Sequence, residues 1–124
     1  MARTRARVTV IKKMVNSKTR KLHAAGYDPG NPRHSRPCMF LKDGQSWVVE
    51  SQAPADFCHW AWADIHADIV MIQCGGNPDG KGYIGIPNTM ISCCCDGFNP
   101  VVFRIERVVD ENDDLSDEQT TPTT

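Results

Sequence analysis

The residues best equipped for chemistry in this 124-residue chain are its six cysteines, Cys38, Cys58, Cys74, Cys93, Cys94 and Cys95. A thiol can ligate a metal, attack an electrophile, carry a proton, or simply pack as a small apolar group. No CxxC pair is present, so the spacing of zinc ribbons and thioredoxin-type redox sites is missing. Any shared thiol site must therefore be assembled by the fold. In the enzymatic reading, Cys58 or Cys94 is the nucleophile or proton carrier, with Asp64, Asp96 and His59 as candidate acids or bases and Trp60 and Trp62 as substrate-binding walls. A carboxyl beside two tryptophans would be desolvated, which raises its pKa and lets it donate a proton. In the metal reading, Cys38 and Cys58 join Cys93 and Cys94, with Cys95 and His59 as further ligand candidates; thiolates in that number suit zinc, Cu(I) or an iron–sulfur cluster. The bland reading of each residue stands beside these: buried thiols as packing, Asp96 before Gly97 as a turn residue, Asp64 on a solvated helix face, and both tryptophans as core filling.

Positioning these side chains falls to a small set of elements. Ala6 to Val15 alternates with period two and predicts a strand with Val8, Val10 and Met14 inward. Positions 16–37 carry Gly26, Pro29-Gly30, Pro32 and Pro37, which predicts a long basic loop. Gln45 to Ser51 predicts a second strand, with Trp47 and Val49 on one face. Asp56 to Cys74 predicts the main helix: Cys58, Ala61, Trp62, Ile65, Ile69 and Ile72 form its apolar stripe and Gly75-Gly76 ends it. A second line through Trp60, Ala63, Ala67, Val70 and Cys74 would widen the buried arc, with Gln73 on the polar remainder. Asp56 is the expected N-cap, which places Cys58 in the first turn, where helix N–H groups favour a thiolate. Asn77 to Asn88 predicts a loop; Thr89 to Cys95 and Val101 to Val109 predict a hairpin of strands about the Asp96-Gly97 turn. Strand geometry then directs Cys93 and Cys95 to one face and Cys94 to the other. The fold class expected is α+β: a small antiparallel β-sheet covered by one main α-helix, over residues 1–109.

Length allows one domain, and 40 % apolar with 23 % charged residues is an ordinary globular composition. Charge is uneven. Ten of the 14 basic residues precede position 37, whereas residues 110–124 hold six acids and no base and predict a disordered acidic tail. The basic arm lacks aromatic interleaving, which disfavours nucleic acid as a partner. No apolar run reaches the roughly 20 residues of a membrane span, and no secretory h-region comes after the arginine-rich start. A cytoplasmic location with reduced thiols is expected, a mitochondrial presequence being the rival. The absence of a phosphate loop, a nucleophile elbow or HExxH disfavours a nucleotide cofactor and common hydrolase chemistry.

Two long phrases carry a resemblance. Phe57-Cys58-His59-Trp60-Ala61-Trp62-Ala63-Asp64-Ile65 and Cys93-Cys94-Cys95-Asp96-Gly97-Phe98-Asn99-Pro100-Val101-Val102-Phe103-Arg104-Ile105-Glu106-Arg107 resemble the FCxWAWxDI and CCxDGxRPVVFKIERI motifs of a family of small, functionally uncharacterised proteins. The VTVIKK start and the Cys38 to Gly44 spacing look alike too, and the likeness spans most of residues 7–109. It implies Cys38, Cys58, Trp60, Trp62, Asp64, Cys93, Cys94, Asp96 and Gly97 as family positions, with Cys74 and Cys95 as additions. Met39, His59 and Asn99 depart from the family's Pro, Ser and Arg, and Gly75-Gly76-Asn77-Pro78-Asp79 departs from its GGNFPW. The resemblance implies no established chemistry.

The reading favoured by the residues is a small-molecule enzyme with a cysteine-lined, tryptophan-walled pocket, carrying out isomerisation, cyclisation, dehydration or addition. A metal–thiolate protein is the first alternative. A non-catalytic interaction module, in which the basic arm and acidic tail engage partners, is the second. A short exposed edge strand leaves room for a homodimer.

Overall fold

The computed structural model describes residues 4–108. The acidic tail, 110–124, and the last position of the final expected strand lie outside the described residues. The chain runs β1 (Arg5–Lys13), α1 (Ser17–His23), α2 (Pro32–Ser35), β2 (Ser46–Val49), α3 (His59–Gln73), a 3-10 turn (Pro78–Lys81), β3 (Thr89–Cys93) and β4 (Val101–Val108). The four strands make one antiparallel sheet in the order β2-β1-β4-β3, with β1 and β4 central. It is an α+β domain with one large helix against one sheet face. Among the described residues, no helix is long and apolar enough to cross a membrane.

Alternation in β1 sends Ala6, Val8 and Val10 into the core. Its register with β4 shifts between Val10 and Lys12, so Ile11 is an extra residue that bulges outward. Past the bulge, Lys13 turns inward and its Nζ donates to the carbonyls of Cys38 and Leu41 at 3.0 and 2.7 Å. From the other side, Ala61, Ile65, Ile69 and Ile72 of α3 meet Val101, Phe103 and Ile105 of β4; all are buried. Burial of each large apolar side chain contributes about 1.5–3 kcal/mol before the entropy of ordering is charged against it.

Several expectations need correction. The stretch 16–37 contains two short helices rather than only loop. Asn31 caps α2 by accepting from the Arg33 N–H at 2.9 Å, and Pro32 suits the first helical position, where no N–H is needed. α1 fits between Asn16 and Gly26, a span free of Gly and Pro. The main helix begins at His59, with Cys58 rather than Asp56 as its N-cap. Asp56 is occupied elsewhere, accepting from Trp47 Nε1 at 2.9 Å.

The second apolar line does not widen the buried arc: Trp60 is 80 % exposed, Ala63, Ala67 and Cys74 are exposed, and Val70 is half-buried. The helix has a single packing partner, the sheet, so a single stripe suffices. Gln73, expected outside, is fully buried, its amide N–H groups donating to the carbonyls of Val49 at 3.2 Å and Glu50 at 2.7 Å. Beyond it, Gly75 takes a φ of 95° that ends the helix, and a Cβ on Gly76 would lie 2.8 Å from the Met71 carbonyl oxygen.

Candidate functional site

Asp64 is the point where the helix and the cysteine triplet meet. It sits on the solvent side of α3, and its Oδ2 accepts the Cys95 backbone N–H at 2.7 Å. One helical turn on, Asp68 Oδ2 accepts the Ser92 hydroxyl at 2.8 Å. Two carboxylates at i and i+4 project from one face of the helix and so reach two points along the same strand. β3 leaves the ladder at Cys93, although Cys94 N–H still reaches the Val101 carbonyl at 3.1 Å. Released from the sheet, Cys95 can turn its backbone N–H toward Asp64.

The three adjacent thiols have different surroundings. Cys94 is half-buried against the core and its Sγ accepts the Val101 N–H at 3.3 Å. Cys93 is exposed, and its thiol lies 3.2 Å from the Cys94 carbonyl oxygen, to which it donates. Desolvation pushes the Cys93 thiol pKa up, with smaller contributions from Cys94 and Asp64. For Cys95 the main cause is a hydrogen bond from its thiol to the Asp64 carboxylate, followed by the carboxylate's charge; both raise the pKa. A protonated thiol can donate to a neighbouring carboxylate and a thiolate cannot, which favours the protonated form of Cys95.

An apolar margin surrounds this pair. On α3, Trp60 lies one turn before Asp64, and Ala63 and Ala67 flank it, all exposed. The result is an open ledge of indole, two methyl groups, a carboxylate and thiols, rather than a walled pocket. Two shallow depressions, of about 400 Å³ and 270 Å³, lie instead around Arg5 and the Val48–Pro54 segment and touch no cysteine.

The remaining candidates fall elsewhere. Trp62 is turned toward the core, edge-on to Phe57 at 5.7 Å between ring centroids and 5.2 Å from the His66 ring. It supplies packing and is not part of the ledge. Asp96 Oδ1 accepts the N–H groups of Phe98 at 3.0 Å and Asn99 at 3.1 Å, which closes the β3–β4 connection. His59 is exposed at the start of α3. Cys58 is the N-cap of α3 rather than a residue of its first turn, and its side chain makes no capping hydrogen bond. Cys38 and Cys58 are half-buried against the core, and Cys74 sits at the opposite end of α3, about 24 Å from Cys58 at 1.5 Å per residue.

The metal set is not assembled. Among the described residues, no three of His, Cys, Asp or Glu are grouped so that they could hold an ion. Cys38, Cys58, Cys93 and Cys94, with His59 as an addition, therefore offer no common centre for zinc, copper or an iron–sulfur cluster. Sequence reasoning missed Ser92 and Asp68 as supports and passed over Cys95 in favour of Cys94. The usable signal was the Asp64/Asp68 pair at i, i+4 on a helix that must lie beside the Ser92-Cys93-Cys94-Cys95 strand. No family pattern, curated protein or solved structure matches the chain.

Proposed function

We propose that the chain is a small-molecule enzyme that moves protons on a small, largely apolar substrate, using Asp64 and Cys95 as a coupled base and acid. The carrying observation is the Asp64 carboxylate, fixed by the Cys95 backbone N–H at 2.7 Å, with the same carboxylate raising that residue's thiol pKa. Asp64 removes a proton from carbon and Cys95 delivers one to a neighbouring atom. Transfer of the captured proton from the carboxyl group to the thiolate then restores both partners, so the cycle consumes nothing. Isomerisation fits this balance directly; dehydration and addition fit when water is the group lost or gained. Trp60 and the two alanines would hold the apolar part of the substrate.

Proton exchange at carbon gives a readout that does not depend on the identity of the substrate. Panels of small ketones, aldehydes and activated alkenes are incubated with the protein in deuterium oxide and monitored by NMR. The proposal expects deuterium at one carbon position of at least one compound. Asp64→Asn should slow that exchange by about 10²–10⁴-fold, the usual contribution of a positioned acid or base. Exchange by wild type no faster than in buffer across the panel, or exchange untouched in Asp64→Asn, would contradict it.

A further inference from the structure

We propose that the sheet face not covered by α3 is a docking surface for the chain's own acidic segment, residues 110–124. On that face the antiparallel register sets Arg5 and Arg7 of β1 opposite Val108 and Glu106 of β4, while Arg104 and Lys12 extend the row. Cations therefore dominate. The acid within the row is Glu106, ion-paired with Arg104 at 3.3 Å, and Glu50 lies at the rim beside Arg5. Ile11 and Val48 contribute apolar surface to the same face, 41 % and 39 % exposed.

The position of the β4 terminus identifies the occupant. β4 ends at Val108, in register with Arg5, so the C-terminal segment starts at the arginine end of the face. That segment carries Asp110, Glu111, Asp113, Asp114, Asp117 and Glu118, without a single Lys or Arg. Turned back along β1, ten residues can extend over about 30 Å, which matches the length of that nine-residue strand. Leu115, the segment's one large apolar residue, then falls within reach of Ile11. Because the segment is tethered, its effective concentration is on the order of millimolar, and a weak, salt-sensitive contact is enough to occupy the face.

The test uses the full chain. Wild type is compared by amide NMR with a variant carrying Asp110→Asn, Glu111→Gln, Asp113→Asn, Asp114→Asn, Asp117→Asn and Glu118→Gln, at about 20 mM and about 0.5 M NaCl, where charge screening differs severalfold. The expected result is a low-salt shift difference at Thr9, Ile11 and Val48. High salt should move wild type toward the variant, and Arg7→Gln should reduce the difference. Coincident low-salt shifts at those positions would overturn the proposal. So would a difference that grows with protein concentration, which would place the segment on a second copy instead.

Discussion

The Asp64 carboxylate acts on Cys95 through both a hydrogen bond and its charge, and removing that charge has a signed consequence. Asp64→Asn should bring the Cys95 pKa down toward the ordinary thiol value, because the largest causes of the upward shift are lost. The linkage runs in one direction. The folded-state pKa is raised, so any stabilisation it confers is complete below the unfolded thiol pKa and is lost as pH rises through the folded value. Stability of wild type should therefore fall more steeply than that of Asp64→Asn in denaturant titrations carried from neutral to alkaline pH, and equal slopes would count against the pair. Gln73 offers a second residue-level prediction. Its amide closes the joint between α3 and the end of β2 while fully buried. Gln73→Leu strands the Glu50 and Val49 carbonyls and should cost about 1–3 kcal/mol by urea unfolding. Asp64 was legible as a candidate acid or base but its partner was not, since 31 residues separate it from Cys95; Gln73 was not legible at all, because it falls on the polar side of the apolar stripe.

Elements whose own apolar periodicity matched their surroundings were legible, and those held by polar contacts were not. β1, β4 and the stripe of α3 declare themselves by spacing, because each buries one face against one neighbour. The helices between positions 16 and 37 do not, since neither contains a buried residue. They are strapped down by polar contacts: Arg20 donates to Asn99 Oδ1 at 3.0 Å and lies 4.5 Å above the Phe98 ring. Asn99 in turn donates to the Arg36 carbonyl. Arg20→Met should destabilise the domain by about 2–4 kcal/mol, the sum of a charge-assisted hydrogen bond and a half-exposed cation–π contact. It should also raise amide exchange within Ser17–His23 by more than within β4. The N-terminal boundary of α3 was missed for a related reason, since Asp56 serves Trp47 and so cannot cap.

For the molecule as a whole, one helix on one sheet face gives a thin core, so its centre tolerates little loss. Ile69, completely buried between α3 and the sheet, should cost about 2–5 kcal/mol as Ile69→Ala, measured by urea or thermal unfolding. The same layering explains why a thiol site legible as a set of residues was not legible as a place. Cysteines placed on β3, on α3 and in the loop after α2 were expected to converge inside the domain. The core instead filled with Ile, Val and Phe, which left Cys38, Cys58 and Cys94 at its margin and Cys74, Cys93 and Cys95 on the surface. What the fold does bring together is the Asp64 carboxylate and the backbone N–H of Cys95, at the open edge where β3 gives way to the turn.

That pairing is tested most directly by the pH dependence of Cys95 alkylation. The rate is read by mass spectrometry in a background of Cys93→Ser and Cys94→Ala, with and without Asp64→Asn. The account predicts an alkylation midpoint above the ordinary thiol value while Asp64 is present, and a shift down toward that value in Asp64→Asn, with faster labelling at about pH 8. Superimposable profiles for the two proteins would mean that Asp64 does not hold the Cys95 proton, and the proposed acid–base pair would have to be abandoned.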